Sequence, residues 1–236
     1  MENKTSAILE RPLNLYIDHT LLSPSAGPED IVKLCAEAAE YGFASVCVNP
    51  CYVQLAADRL RGSGVKVCTV VGFPLGQSTC RIKAAEAMAA LDEGAMEIDA
   101  VMNVGMFKAG GKLYHESEVR ALAEAVHAKK DAILKIILET CLLTPEEIAE
   151  ASVISGRAGA DFVKTSTGFS TGGATVEAVR TMAEALRSAG LPTRIKASGG
   201  IRTLETALAM IEAGAGRLGA SAGAAIMQQA KDAGIL

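Results

Sequence analysis

Two lysines stand near the ends of two consecutive strand-like runs. Lys164 lies in Asp161-Phe-Val-Lys-Thr-Ser-Thr-Gly168, and Lys196 lies in Arg194-Ile-Lys-Ala-Ser-Gly-Gly200. A lysine in a buried parallel strand is costly, because desolvation disfavours its charge. Two of them aimed into one pocket suit a particular task. Like charges about 4 Å apart at an effective dielectric of about 20 repel by roughly 4 kcal/mol. That favours proton loss from one amine by about a thousandfold. An uncharged lysine can then attack a carbonyl carbon and form a Schiff base.

Neighbouring strands complete the cluster. Strand side chains alternate, so residues two apart share a face. Glu97, Asp99, Val101 and Asn103 form one such set, and Ile133, Lys135, Ile137 and Glu139 another. Phe162, Lys164 and Ser166, and then Arg194, Lys196 and Ser198, do the same. The complementary residues Ile98, Ala100, Met102, Ile136, Leu138, Val163 and Ile195 are apolar, as a helix-covered outer face requires. The polar faces therefore point inward and gather Asp99, Lys135, Lys164 and Lys196. Asp99 opposes proton loss from the lysines, but it can also shuttle protons. A structural ion network is the bland alternative. The lysine pair, each member followed by a glycine turn, favours carbonyl chemistry.

The elements that must position these residues alternate along the chain. Strands are expected at 15–19, 44–49, 66–71, 97–103, 132–139, 161–165, 194–197 and 217–219. Helices are expected at 29–41, 52–60, 78–93, 116–129, 145–155, 174–188, 204–212 and 222–231. Helical runs carry apolar residues three and four apart, as in Ile31, Leu34, Cys35 and Ala38. Thr144-Pro145-Glu146-Glu147 reads as a capped helix start. Gly42, Gly94, Gly190 and Gly214 read as left-handed helix ends. Three helix ends, at 39–42, 90–95 and 211–215, echo one another as a βα repeat would. Eight βα units with no linker imply one α/β domain over 1–236, a (β/α)8 TIM barrel with a short N-terminal helical extension. An open doubly wound sheet is the rival, but no G-x-G-x-x-G or Walker A pattern is present.

Barrel active sites lie at the C-terminal ends of the strands, often with a phosphate site after strands seven and eight. Ser198-Gly199-Gly200 and Gly219-Ala220-Ser221 sit at those places, and Thr167-Gly168 offers further donors. The other chemistries find little support. Net charge is −4 with no basic run, which argues against nucleic acid. No apolar run approaches a membrane span, and the N-terminus lacks signal-peptide features. The six cysteines, Cys35, Cys47, Cys51, Cys68, Cys80 and Cys141, lack CxxC spacing and read as buried free thiols of a reduced cytoplasmic protein. His19, His115 and His127 have no paired spacing, so no zinc or divalent-metal set is read. No G-x-S-x-G supports serine hydrolysis.

The same residues carry a resemblance. Ile17-Asp-His-Thr-Leu-Leu22, Ser45-Val-Cys-Val-Asn-Pro50, Val71-Gly-Phe-Pro-Leu-Gly76 and Glu97-Ile-Asp-Ala-Val-Met-Asn103 begin it. Leu134-Lys-Ile-Ile-Leu-Glu-Thr140, Phe162-Val-Lys-Thr-Ser-Thr-Gly-Phe169, Ile195-Lys-Ala-Ser-Gly-Gly-Ile-Arg202 and Leu218-Gly-Ala-Ser221 continue it. Across nearly its full length the chain resembles the deoxyribose-phosphate aldolases. The resemblance implies a class I aldolase that uses no metal or other cofactor. It would reversibly cleave 2-deoxy-D-ribose 5-phosphate to acetaldehyde and D-glyceraldehyde 3-phosphate. By position, Lys164 would be the Schiff-base lysine, Lys196 the lysine that perturbs it, and Asp99 the carboxylate of a proton relay. Asp18, Thr20, Cys47 and Lys135 would lie near the substrate and ordered water, although a plain buried thiol is the other reading of Cys47. Thr167, Gly168, Gly199, Gly200 and Ser221 would contact the sugar chain and phosphate. Two departures stand out. Ala222 follows Ser221 where some members have a second serine, and the chain stops at Ile235-Leu236 where some end in tyrosine. A phosphosugar is the expected partner, with a homodimer as the expected assembly. A catalytically silent sugar-phosphate-binding barrel and a phosphosugar isomerase are the competing readings.

Overall fold

The computed structural model describes residues 8–235; the first seven residues of the expected N-terminal extension lie outside that range. Eight parallel strands close into a barrel in chain order. They are β1 (Ile17–Leu21), β2 (Ser45–Val48), β3 (Lys66–Val71), β4 (Glu97–Val101), β5 (Ile133–Ile137), β6 (Phe162–Lys164), β7 (Arg194–Ser198) and β8 (Arg217–Ala220). Around them, among the described residues, run α1 (Pro28–Tyr41), α2 (Val53–Arg59), α3 (Cys80–Asp92), α4 (Val104–Lys108), α5 (Lys112–His127), α6 (Pro145–Arg157), α7 (Val176–Ser188), α8 (Leu204–Glu212) and α9 (Gly223–Asp232). No helix among them is long and apolar enough to cross a membrane.

Local chemistry sets these boundaries. Thr144 caps α6: its hydroxyl accepts from the Glu147 amide while Glu147 reaches back to the Thr144 N–H, with Pro145 at the first turn. α1 ends at Gly42, whose φ of 63° is the left-handed conformation that glycine adopts without penalty. Several expected boundaries shift, two of them for a plain local reason. The run expected as the first strand opens as a 3-10 turn, Leu13–Tyr16, behind Pro12, so pairing begins at Ile17. The fourth strand stops at Val101, because the Asn103 side chain turns back to accept from the Met106 amide and starts α4.

The core lies between barrel and helices. Ile98, Ala100, Met102, Ile136, Leu138, Val163 and Ile195 are all buried in it. Truncating any large one to alanine would cost about 2–5 kcal/mol. The strand interiors carry the complementary polar set, so the barrel's own filling is largely charged. The thiols divide: Cys35, Cys47 and Cys68 are buried, Cys80 is half-buried, and Cys51 and Cys141 are exposed. The expectation of six buried thiols is corrected at the last three. Cys51 and Cys141 sit on 3-10 turns just beyond β2 and β5, where the chain leaves the core.

Candidate active site

Register brings the two lysines together. Lys164 and Lys196 are direct partners on β6 and β7, and Asp99 and Lys135 are partners on β4 and β5. The Asp99 carboxylate joins the pairs. Its Oδ2 lies 2.8 Å from Lys164 Nζ and 2.7 Å from Lys196 Nζ. Its Oδ1 lies 2.8 Å from Lys135 Nζ and accepts from the Cys68 thiol at 3.2 Å.

The network extends beyond the four residues expected. Lys196 Nζ is 2.5 Å from Asp18 Oδ2, and Lys135 Nζ is 2.6 Å from Glu97 Oε2. Arg217, from the start of β8, pairs with both Asp18 and Glu97. The result is a closed ring of alternating charge: Asp18, Lys196, Asp99, Lys135, Glu97, Arg217 and back to Asp18. Each ring cation meets two carboxylates. Lys164 hangs from the ring by Asp99 alone. Four cations thus face three carboxylates, and Lys164 has the fewest ionic partners.

The ring's charges are firmly held. Burial would raise the Asp99 carboxyl, but Lys135, Lys164 and Lys196 hold it well below the ordinary range. Asp18 is likewise depressed, with Arg217 and Lys196 outweighing its burial. Burial would lower Lys196, yet Asp18 and Asp99 keep it well above its ordinary value, so it is a fixed ammonium. Lys135 and Arg217 are raised against their burial for the same reason, by Asp99 and by Asp18 respectively. Space for Lys196 comes from Gly219: a Cβ there would sit 2.9 Å from Ser198 Cβ and 3.2 Å from Lys196 Cε.

A cavity of about 440 Å³ opens above the ring at the C-terminal ends of the strands. Of the four network cations, Lys164 alone lines it among the described residues. Thr20, Thr167, Gly168, Gly199, Gly200 and Ser221 also line it. Asp18, Cys47, Asp99 and Lys135 are fully buried and lie below, in the barrel floor. Thr167 walls the cavity, but its N–H and hydroxyl both donate to Glu139. Arg202, Ser23 and Phe169 line the cavity too and were not anticipated as site residues. Arg202 was within reach of the sequence, as it closes the Ser198-Gly-Gly-Ile-Arg202 turn. Arg217 and Glu97 face instead a cavity of about 420 Å³ at the opposite, N-terminal mouth.

Strand packing also assembles a donor set that sequence spacing hides. A sulfur each of Cys47 and Cys68 and a carboxylate oxygen of Asp99 lie within 4.8 Å of one another. A soft cation could use these atoms, but it would join a floor already richer in cations than in carboxylates. The adjacent Cys68 side chain lowers the Cys47 thiol below its ordinary value, while burial raises Cys68.

An amine at a pocket floor, tethered to a carboxylate that a fixed ammonium shares, is equipped for imine formation and proton transfer. Known proteins are similar over most of the chain. The chain is 54% identical over 219 residues to the deoxyribose-phosphate aldolase of Caldanaerobacter subterraneus subsp. tengcongensis, covering 93% of this chain and 94% of that one. It is 54% identical over 222 residues to that of Brevibacillus brevis, covering 94% and 98%. Among solved structures, the tetrameric deoxyribose phosphate aldolase from Aeropyrum pernix superposes with a TM-score of 0.89 at 35% identity, covering 98% and 97%. With residues 13–229 matching the family model as well, the chain belongs to the DeoC/LacD family aldolases.

Proposed function

We propose that Lys164 is the nucleophile of a deoxyribose-phosphate aldolase, with Asp99 and Lys196 as its proton relay. The observation that carries this is the single Asp99 oxygen shared by Lys164 and Lys196 beneath a cavity that Lys164, and not Lys196, lines. With four cations against three carboxylates, one uncharged amine balances the floor. Lys164 has one ionic partner, so its uncharged form leaves the fewest ion pairs unmade.

The chemistry follows from that placement. The uncharged Lys164 attacks the C1 aldehyde of open-chain 2-deoxyribose 5-phosphate, giving a carbinolamine. Loss of water then gives an iminium ion. Because acetaldehyde has two carbons, the bond that breaks is C2–C3 rather than C3–C4. The electron pair of that bond moves toward the iminium nitrogen as the C3 hydroxyl loses its proton. Glyceraldehyde 3-phosphate departs, leaving an enamine on Lys164. Protonation at C2 and addition of water release acetaldehyde and the free lysine. Asp99 and Lys196 carry the protons with water, and the overall reaction is one of deoxyribose-phosphate breakdown.

The phosphate would sit over Gly168, Gly199, Gly200 and Ser221, which line the cavity on the turns after β6, β7 and β8, the kind of turn whose backbone N–H groups bind phosphate. A homodimer fits the exposed Leu75, Ile82, Met106 and Leu113 on the α3–α5 side. Six free thiols fit a reducing, cytoplasmic setting.

Trapping with acetaldehyde and borohydride tests the assignment. An ethyl group should appear on Lys164 in the peptide map. Lys164→Leu should abolish both the labelling and acetaldehyde release, and a chelator should change neither. Labelling confined to another lysine would refute it.

A further inference from the structure

Glu139 takes no part in the mechanism above, yet it sits in a conformation that asks for a reason. It follows β5 with φ 56° and ψ 62°, the left-handed region that non-glycine residues seldom occupy. Such strain persists where the surroundings over-determine it, most often at functional sites. The surroundings here are explicit. Leu138 N donates to Lys164 O at 2.9 Å and Thr140 N donates to Thr165 O at 2.8 Å, so β5 keeps pairing with the end of β6 on both sides of Glu139. The strained residue between them is free to turn its side chain sideways.

That side chain is 4% exposed and grips one residue with both oxygens. Oε1 accepts from the Thr167 amide at 3.1 Å, and Oε2 accepts from the Thr167 hydroxyl at 2.5 Å. The same hydroxyl oxygen accepts from the Phe169 amide at 3.1 Å. Phe169 in turn meets Phe73 edge-on, ring centroids 5.3 Å apart. A carboxylate just beyond strand five thus sets the backbone of Thr167, Gly168 and Phe169, which wall the cavity beyond Lys164. Glu139 does not line the cavity, so it acts through that turn.

We infer that Glu139 is a positioning residue whose grip on Thr167 shapes the turn that receives the phosphorylated end of the substrate. This rests on seating the phosphate at that end of the pocket. Because Thr167 spends its N–H and O–H on Glu139, the donors the turn offers a ligand come from Gly168 onward. They point correctly only while the grip holds. Preorganised donors bind tighter than ones that must be ordered on binding. The chemistry at Lys164 should be little affected.

Steady-state kinetics on 2-deoxyribose 5-phosphate and on unphosphorylated 2-deoxyribose would test this with wild type, Glu139→Gln and Glu139→Gly. The amide cannot accept both Thr167 hydrogens, and a lost hydrogen bond to a charged group is worth about tenfold. Glu139→Gln should raise KM for the phosphorylated sugar by about tenfold, hold kcat within about threefold, and leave KM for deoxyribose nearly unchanged. Glu139→Gly relieves the backbone but lacks the grip. It should melt no lower than Glu139→Gln and show the same KM change. If both variants keep the wild-type preference for the phosphorylated sugar, or lose kcat equally on both sugars, the inference is overturned. If wild type itself has no such preference, the phosphate placement fails first and the inference falls with it.

Discussion

Replacing Lys196 with methionine should slow imine formation at Lys164. Lys164 Nζ and Lys196 Nζ lie 2.8 Å and 2.7 Å from the same Asp99 oxygen, so they are no more than about 5.5 Å apart. At an effective dielectric of about 20, unit charges at that distance repel by about 3 kcal/mol. This is a factor of roughly 150 against holding both amines as cations. Lys196→Met removes the repulsion and frees Asp99 to serve Lys164 as a cation, which acts in the same direction. Asp18 keeps Arg217 and Asp99 keeps Lys135, so both carboxylates retain a partner and the barrel should fold. Turnover is a poor assay, because Lys196 also belongs to the proposed relay. The measurement is the initial rate of imine trapping by acetaldehyde and borohydride, read by intact mass across pH 6–10. Trapping near neutral pH should slow by up to roughly 150-fold in the variant and recover at alkaline pH. Trapping near neutral pH as fast as in wild type would refute the argument that Lys196 keeps Lys164 reactive.

Two further outcomes follow from the geometry. Gly219→Ala should press on Ser198 Cβ and Lys196 Cε and displace Lys196 from its two carboxylates. We expect a loss of about 1–3 kcal/mol in stability and a larger proportional loss of activity; unchanged melting and rate would refute the close fit. His115 is buried against Ser155 and Phe107, with Lys83 nearby, and desolvation lowers its pKa from 6.5 to about 4. Between those values the unfolded chain binds the extra proton, so stability should fall as pH drops through the window, by about 3 kcal/mol in all. Denaturant melts of wild type and His115→Gln at pH 4.5 and 7 check this, and equal pH sensitivity in both would refute it. Asp18 and Asp99 act in a separate window. Their depressed values stabilise the fold above the ordinary carboxylate range, and that stability is lost only as pH falls through it toward their folded values.

Much of this was legible in the residues. The apolar outer faces of β4 to β7 and the glycine helix ends placed eight βα units, and period-two alternation turned Asp99, Lys135, Lys164 and Lys196 inward. The ring closure was not legible. Whether Arg217 meets Asp18 and Glu97 depends on the stagger of β8 against β1 and β4, which no single strand encodes. α4 escaped notice because five residues containing Gly105 show no helical periodicity. Alternation puts Glu139 on the inward face of its strand, but β5 ends at Ile137 and the alternation is lost where the backbone turns left-handed. Its grip on Thr167 therefore followed only from coordinates. Cys47 and Cys68 are adjacent through register, not spacing, which also hid their approach to Asp99.

The floor of the barrel raises the question of why so many charges are buried at all. A buried ion network gains little over well-packed apolar residues, because desolvation consumes most of the Coulomb attraction. Thermodynamics alone would as readily fill this barrel with leucine and valine. What an apolar filling could not supply is an amine beside a fixed ammonium, with a carboxylate between them. The ring cations Lys135, Lys196 and Arg217 match Asp18, Glu97 and Asp99 one for one, so the ring is neutral before Lys164 is counted. Every ionic demand below the pocket is therefore met without Lys164. Adding a proton to it puts an unmatched charge into the floor, and removing that proton costs the ring nothing it needs. The reactive amine is left over by the charge count, and the ring is what makes it so.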